Sequence, residues 1–300
     1  MASLRDLRRR IKSVDGIRQI TRAMEMVSAT KLRRAQQRIE SARPYTEKMD
    51  EILSRLSKAI LAGSVCHPLM EPRDEVEKVT ILAVASSKGL CGSFNANIIR
   101  RVEQYASELI DNEKIDFNNI TVFAIGKKAF DYFFRRGWNI HKKCIDYIHI
   151  DENLPVSMLQ DLTDTLANDF LNGETDRVNM IYTEFKSAIV HRIIQRQFLP
   201  IVGLSSDPED TGTGAEYIFE PTPETLFRIL IPKYARIDIF RMLADSLASE
   251  HGGRMTAMRN ATDNAVEMIR ALTLQRNKAR QAAITKELAE IVGGAEALVG

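Results

Sequence analysis

The sequence predicts an α/β protein in which a long antiparallel two-helix coiled coil, formed by the N- and C-terminal segments, carries an inserted doubly wound α/β domain. Apolar residues recur at spacings of three and four near both ends of the chain, which is typical of a coiled-coil seam. Between them, short apolar runs alternate with amphipathic segments, as buried strands alternate with crossover helices. We expect an N-terminal helix over 1–61, an α/β domain over 76–200, a linker over 201–221 and a C-terminal helix over 222–300.

The N-terminal segment is expected to be helical over residues 3–60. Its apolar seam shifts by one position after Val14 and continues less regularly beyond Leu32. A shift of this kind alters the local winding of a coiled coil. Pro44 is expected to kink the helix or loosen one turn, because proline lacks a backbone N–H. The two parts of the predicted seam are Leu4, Leu7, Ile11 and Val14, followed by Ile17, Ile20, Met24 and Val27.

The C-terminal segment is expected to be one very long helix. Thr222 suits its N-cap, Pro223 its first position and Glu224 the positive end of its dipole, and Pro232 is expected to kink it. Sixty helical residues span about 90 Å, whereas a compact chain of 300 residues has a radius of gyration of about 19 Å. The helix is therefore expected to protrude from the globular part. Its predicted seam is Met258, Ala261, Ala265, Met268 and Leu272.

Beyond Leu272 the seam fades, as expected of a helix that has lost its partner within the chain. Residues 278–291 are rich in alanine, and the helix tip is apolar. Exposed apolar surface of this kind marks a binding site, although a frayed terminus would show the same pattern. The apolar tip residues are Ile284, Leu288 and Ile291.

Two seams at opposite ends of one chain, separated by a globular insert, favour an antiparallel coiled coil within the chain. The alternative is that each seam pairs with a second copy of the chain. A homodimer would not need an alanine-rich tip without a partner, so we favour the pairing within one chain.

The residues between the two seams have the pattern of an α/β domain. Continuous apolar runs predict buried strands at Val79–Ala85, Ile120–Ile125 and Val178–Phe185, with weaker strands at Asn139–Tyr147 and Ile193–Pro200. The intervening helices are predicted at Asn95–Ile110, Lys127–Arg136 and Val156–Leu171. This alternation predicts a doubly wound sheet.

Charge and cysteine content limit the classes of function. The net charge is +2, yet residues 1–43 hold twelve Lys or Arg against four Asp or Glu. Such a basic segment could meet an acidic protein face, anionic lipid or nucleic acid. Three scattered cysteines indicate a reducing compartment. No apolar run is long enough to span a membrane, and no secretory signal is visible.

The α/β domain carries few signs of chemistry. The turn Ser86–Ser93 stands where a phosphate-binding loop would lie, but it matches neither glycine-rich nucleotide motif and is interpreted as a strand-to-helix turn. Cys91 could be an activated nucleophile or a small half-buried thiol. His141, Cys144 and His149 match no zinc spacing. The basic N-terminal helix lacks interleaved aromatic residues. We therefore expect no cofactor, no bound nucleotide and no nucleic-acid partner.

Four stretches, spread over the whole chain, carry a family resemblance. They are ITRAMEMVSATKLRRAQ (Ile20–Gln36), GLCGSFN (Gly89–Asn95), RMTAMRNATDNA (Arg254–Ala265) and ARQAAITKELAEIVGGA (Ala279–Ala295). In this order they resemble the gamma subunits of rotary F-type ATP synthases. The middle domain lacks a long insertion with a cysteine pair, so the chain is similar to the bacterial form rather than the chloroplast form.

The resemblance implies a central rotor shaft, present in one copy per complex and itself non-catalytic. The coiled coil would turn inside a hexamer of alternating alpha and beta subunits, and the beta subunits would hold the nucleotide sites. The α/β domain would lie below, with the epsilon subunit and the membrane ring of c subunits, at the cytoplasmic face of a bacterial membrane. Proton flow would turn ring and shaft during ATP synthesis, and ATP hydrolysis would turn them in reverse.

The resemblance also implies roles for individual residues. The apolar tip residues Ile284, Leu288 and Ile291 would form a bearing inside the hexamer. Tyr217 and Glu220, in the stretch YIFEP, would belong to the foot that contacts the c ring and epsilon. The residues implied to contact beta subunits are Arg9, Met24, Lys31, Arg34, Arg280, Gln281 and Thr285.

Two positions depart from the family pattern. Gly252 and Gly253 stand where the family more often has helix formers such as alanine. Two glycines weaken a helix by about 2 kcal/mol relative to alanine, so we expect a soft spot there. Ser87 and Lys88 stand where the family often has an acid followed by a basic residue. Any contact made by that acid in relatives therefore does not carry over.

Overall fold

Long helices and one mixed sheet make up the chain. The computed structural model describes residues 4–61, 67–150, 152–187, 191–202 and 220–299. Most of the predicted linker 201–221 lies outside the described residues. The chain divides into two compact units, which are described separately: the body, Thr30–Gly253, and the helical unit, Met1–Ala29 with Arg254–Gly300.

Helix α1 runs from Leu4 to Leu61 and continues through Pro44. The predicted one-residue shift of its seam is wrong. Every seventh residue is buried or half-buried without a break, and Ile17, Ile20 and Val27 are instead 51%, 62% and 56% exposed. The residues of this repeat are Leu7, Val14, Thr21, Ser28, Ala35, Ala42, Met49 and Leu56.

Hydrogen bonds explain why small polar residues occupy the α1 seam. The Thr21 hydroxyl donates to the Arg18 carbonyl at 3.1 Å, and the Ser28 hydroxyl donates to the Met24 carbonyl at 2.7 Å. A hydroxyl that is bonded to its own helix can be buried without a large penalty. Apolar spacing alone therefore selected the wrong side of the helix beyond Val14, whereas the first part of the predicted seam, up to Val14, is buried or half-buried.

Helix α5 runs from Pro223 to Val299, as predicted. The Thr222 hydroxyl caps its start by accepting a bond from the Thr225 N–H at 3.4 Å. The prediction that Met268 lies in the seam is wrong, because its side chain is 53% exposed. The seam residues, buried or half-buried, are Met258, Thr262, Ala265, Ile269, Leu272, Arg276, Ala279 and Ala283.

The two long helices pair antiparallel within the chain. In the body, Asp50 of α1 lies within range of the charge of Arg241 on α5, and His67, beyond the end of α1, lies within range of Arg228. Later positions of the N-terminal segment thus meet earlier positions of α5. In the helical unit, the hydroxyl oxygens of Thr21 and Thr262 are 2.8 Å apart. The predicted intramolecular pairing is confirmed.

The body contains a five-stranded sheet with the order β3-β2-β1-β4-β5. The strands are β1 (Val79–Val84), β2 (Ile120–Ile125), β3 (Asn139–Ile140), β4 (Arg177–Phe185) and β5 (His191–Leu199). The first four are parallel and β5 runs antiparallel to β4. The connecting helices are α2 (Phe94–Glu113), α3 (Lys127–Arg135) and α4 (Val156–Leu171). The predicted doubly wound, Rossmann-like domain is confirmed.

The predicted strand Asn139–Tyr147 is wrong beyond Ile140. Lys142–Tyr147 form a 3-10 helix, which begins where the Lys143 N–H donates to His141 Nδ1 at 3.3 Å. A side-chain acceptor at this position competes with strand pairing. The result is a very short edge strand followed by a loop that reaches α4.

Both long helices are anchored in the core of the body. All six residues of β1 are buried, and Leu53 and Leu56 of α1 and Ile239 of α5 join the same cluster with no exposed surface. Complete burial of one such side chain stabilises the fold by about 1.5–3 kcal/mol. In the part of the chain described, no helix combines the length and apolar character that crossing a membrane requires.

Candidate functional site

The end of α5 exposes large apolar side chains. Ile284, Leu288 and Ile291 are 49%, 56% and 67% exposed, and Val292 is 62% exposed. All residues from Ile284 to Gly294 are exposed. Spacings of four and three place Ile284, Leu288 and Ile291 on one face of the helix. An apolar stripe that α1 does not cover is typical of a binding surface.

Polar side chains lie beside this stripe. Arg280, Gln281 and Thr285 are exposed. Arg280 is one turn from Ile284, and Gln281 is one turn from Thr285, so their side chains are neighbours on the helix surface. The end of α5 therefore presents hydrogen-bonding groups and apolar groups side by side.

A second apolar stripe lies on α1 and was assigned to the seam by sequence reasoning. It consists of the exposed residues Ile17, Ile20 and Val27, with Met24 half-buried on the same side. The signal that would have found it is the seven-residue repeat through Thr21, because that repeat identifies the buried side. Met24 is thus brought together with three exposed apolar residues that the sequence did not predict as site residues.

The cations predicted on α1 occupy different environments. Arg34 is exposed, and Arg9 is exposed beside Asp6, with Nη2 and Oδ1 3.2 Å apart. An exposed pair of this kind contributes only about 0–1 kcal/mol. Lys31 differs, because its Nζ donates to Glu152 Oε1 of the body at 2.5 Å. A partner that bound Lys31 would have to compete with this bond.

The predicted foot is only partly described. Tyr217 lies outside the described residues. Glu220 is exposed and lies shortly before the start of α5. Its carboxylate is therefore accessible. Glu220 precedes the N-terminal end of α5, whereas the apolar tip is at the C-terminal end of this helix.

The crevice at the carboxyl end of the sheet is filled by the chain itself. Doubly wound folds bind their ligands at this edge, beside the turn that follows β1. Here the crevice is lined by Ser246, Leu247 and Glu250 of α5 and by the segment around Glu152. A cavity of 190 Å³ remains. Ligand pockets are typically about 300–1,000 Å³. The remaining space is too small for a nucleotide.

Several polar groups of the turn Ser86–Ser93 have hydrogen-bond partners within the domain. The Ser86 N–H donates to Asn95 Oδ1 at 2.9 Å, the Lys88 N–H donates to Ser86 Oγ at 3.0 Å, and the Ser87 hydroxyl donates to the Ile148 carbonyl at 2.6 Å. A phosphate-binding loop needs free N–H groups that converge on one point. The interpretation as a strand-to-helix turn is therefore supported. Cys91 is buried, 2% exposed, and accepts a bond from Asn95 Nδ2.

Two of the three residues considered for a metal site have structural contacts. His141 Nε2 lies 3.3 Å from Asp169 Oδ2. Burial raises the pKa of the Cys144 thiol to about 12, so this sulfur stays protonated at neutral pH. The Cys144 sulfur accepts a bond from the Ala124 N–H at 3.1 Å. In the described ranges, no three His, Cys, Asp or Glu side chains are grouped to hold a metal ion.

Comparison with known proteins covers the whole chain. The family model described as ATP synthase matches residues 3–298. The ATP synthase gamma chain of Desulforamulus reducens is 44% identical over 298 residues, which are 99% of this chain and 100% of the relative. That of Anaeromyxobacter is 44% identical over 301 residues, again 99% of this chain and 100% of the relative.

A solved structure has the same fold. A chain in the Euglena gracilis mitochondrial ATP synthase, OSCP/F1/c-ring, superposes with a TM-score of 0.62 at 15% identity, covering 98% of this chain and 94% of that chain. At this identity the match supports the arrangement of helices and sheet alone. Identity above 40% over entire relatives decides the family: this chain belongs to the ATP synthase gamma chain family.

Proposed function

We propose that this chain is the central rotor shaft of an F-type ATP synthase, coupling proton-driven rotation of a membrane c ring to ATP synthesis, and reversibly to ATP hydrolysis. Family membership supports the assignment. The observation that carries it is the end of α5, where every residue from Ile284 to Gly294 is exposed although the stripe contains large apolar side chains. Such a surface requires a surrounding partner to cover it.

The surrounding partner is a hexamer of alternating alpha and beta subunits. Ile284, Leu288 and Ile291 act as the bearing, because apolar contacts have no preferred direction and resist rotation little. Arg280, Gln281 and Thr285 make the directional contacts to a beta-subunit loop. Directional contacts on one side of the helix make the shaft asymmetric. At any rotational angle of the shaft, the three beta sites therefore differ in their affinity for nucleotide.

The basic face of α1 makes further contacts to an acidic loop of a beta subunit. Arg9 and Arg34 are exposed cations, and Met24 lies beside the apolar stripe. Lys31 takes part only if the loop competes with Glu152 for its ammonium group. Because exposed pairs contribute only about 0–1 kcal/mol each, loss of a single charge should be tolerated.

The body forms the lower part of the rotor. Glu220 and Tyr217 belong to a foot that contacts the epsilon subunit and the c ring, at the cytoplasmic face of a bacterial membrane. The chain binds no nucleotide, cofactor or nucleic acid and is non-catalytic, since the beta subunits hold the catalytic sites. The filled crevice beside β1 supports this assignment.

Co-purification and single-molecule rotation test the proposal. The chain is produced together with alpha, beta and epsilon subunits, and the composition of the complex is measured by native mass spectrometry. We expect one copy of this chain with three alpha and three beta subunits, and ATP-driven rotation of a bead attached to the body. A chain that remains monomeric, or that assembles without rotating, would refute the proposed function.

A further inference from the structure

One short loop of the body has polar contacts to both long helices. It comprises Glu152 and Asn153, between the 3-10 helix Lys142–Tyr147 and α4. Lys31 Nζ donates to Glu152 Oε1 at 2.5 Å, and Arg38 Nη2 donates to Asn153 Oδ1 at 2.8 Å. Arg38 Nη1 donates a second bond, to the Glu152 carbonyl. The loop is therefore tied to two positions of α1 that lie about two helical turns apart.

The same carboxylate faces α5. His251 Nε2 lies 3.9 Å from Glu152 Oε2, and the His251 side chain is only 5% exposed. Burial raises the pKa of the Glu152 carboxyl, but the bond from Lys31 and the charges of His251, Lys31 and Lys88 outweigh burial and lower it. Glu152 is thus held ionised, with one oxygen directed to α1 and the other to α5.

The body holds this loop firmly from both sides. Leu154 is 4% exposed and belongs to the core cluster, and Ile150 packs against that cluster. The backbone of Leu154 has a φ of 49°, a left-handed conformation that bulky residues rarely adopt. Such a conformation persists only where its surroundings impose it. The residue that follows the loop, Leu154, is therefore fixed in the core of the body.

The position of these contacts along the helices is what gives them a mechanical role. Lys31 lies at the beginning of the body's part of α1, and His251 lies at the end of its part of α5. These are the points at which both helices continue beyond the body. At these positions Glu152 contacts both α1 and α5.

We propose that the Glu152–Asn153 loop is a clamp that, within the body, fixes α1 and α5 to the α/β domain, so that torque on these helices is carried into the domain. The inference rests on the proposed rotor function for its role, but the clamp itself is a property of the isolated chain. Glu152 is a positioning residue, because it acts through Lys31, Arg38 and His251. Its contribution is to make the helices and the α/β domain rotate together.

Hydrogen exchange on the isolated full-length chain tests the clamp. The variant Glu152→Gln removes the charge and keeps the size of the side chain. Loss of a partly exposed ionic contact of about 1 kcal/mol corresponds to about five-fold faster local exchange. We expect this change in the amides of residues 31–39 and 152–154. The control Glu47→Gln breaks the exposed pair with Arg43 within α1 and should leave these amides unchanged.

Proton pumping by the assembled enzyme tests the mechanical role. In membrane vesicles, the Glu152→Gln enzyme should hydrolyse ATP at the rate of the wild type but pump fewer protons per ATP, whereas the Glu47→Gln enzyme should match the wild type in both. A purely structural role would lower the amount of assembled enzyme and leave this ratio unchanged.

The outcomes separate the clamp from the proposed function. Unchanged exchange in Glu152→Gln would refute the clamp, whatever the chain does in a complex. Faster exchange with an unchanged ratio of protons to ATP would refute its role in torque. A wild-type chain that fails to assemble would refute the rotor function, and exchange in the free chain would still decide whether the clamp exists.

Discussion

The buried carboxyl of Asp245 should make the stability of the body depend on pH. Asp245 lies on α5 and is 7% exposed. Burial raises its pKa to about 6, and the nearby charge of Glu184 adds to this, while Arg241 opposes it. The unfolded pKa is about 3.9, so the folded chain holds the proton more tightly. Stability should therefore fall as the pH rises from about 4 to about 6, and remain lower above that.

The magnitude follows from the shift. A difference of about two pKa units at about 1.36 kcal/mol each costs about 3 kcal/mol of unfolding free energy above pH 7. Asp245→Asn removes the charge and keeps the shape. The variant should match the wild type near pH 4 and exceed it by up to about 3 kcal/mol at pH 8.

Urea unfolding measured by fluorescence provides the assay. The single tryptophan, Trp138, lies in the body and reports its unfolding. The wild type and Asp245→Asn are compared at several values between pH 4 and 8. Asp111→Asn on α2 is the matched control, because it makes the same change at an exposed carboxylate. A difference between Asp245→Asn and the wild type that does not vary with pH would refute the reasoning.

Two further predictions concern α5 and the core. The amides of Gly252 and Gly253 should exchange faster than those of Met258–Leu272, because each glycine weakens a helix by about 1 kcal/mol; equal protection would contradict this. Leu53→Ala should lower the unfolding free energy by about 2–5 kcal/mol, since Leu53 is completely buried. Leu288→Ala, the same change at an exposed position, should alter it by less than about 0.5 kcal/mol and affect only the assembled complex.

Features set by continuous burial were predictable from the sequence. β1, β2 and β4 match the predicted apolar runs to within a residue or two, because a strand buried on both faces must be apolar along its length. The ends of the two long helices followed from their composition and from the cap at Thr222. The exposed tip at Ile284 was predicted because the regular apolar spacing of the seam ends before this residue.

Features that depend on distant partners were not predictable. The contact of Thr21 with Thr262, 241 residues further along the chain, was not predictable, because the seven-residue repeat marks Thr21 as buried but does not identify its partner. Lys31 and Glu152 are 121 residues apart, so their bond becomes visible only once the fold places them together. The 3-10 helix after His141 was missed for a different reason, because the local bond from the Lys143 N–H to His141 Nδ1 leaves no apolar pattern in the sequence.

The composition of the seam in the helical unit explains where the large apolar residues lie. Thr21, Thr262 and Ala265 are 8%, 8% and 5% exposed, so small side chains fill much of the seam, beside the larger Leu7 and Met258. Small residues let two helices approach closely. Large residues such as Ile20 and Leu288 are left on the outside, 62% and 56% exposed. In an isolated protein this arrangement would favour aggregation. In the rotor function proposed above, the surrounding subunits would cover this apolar outer face.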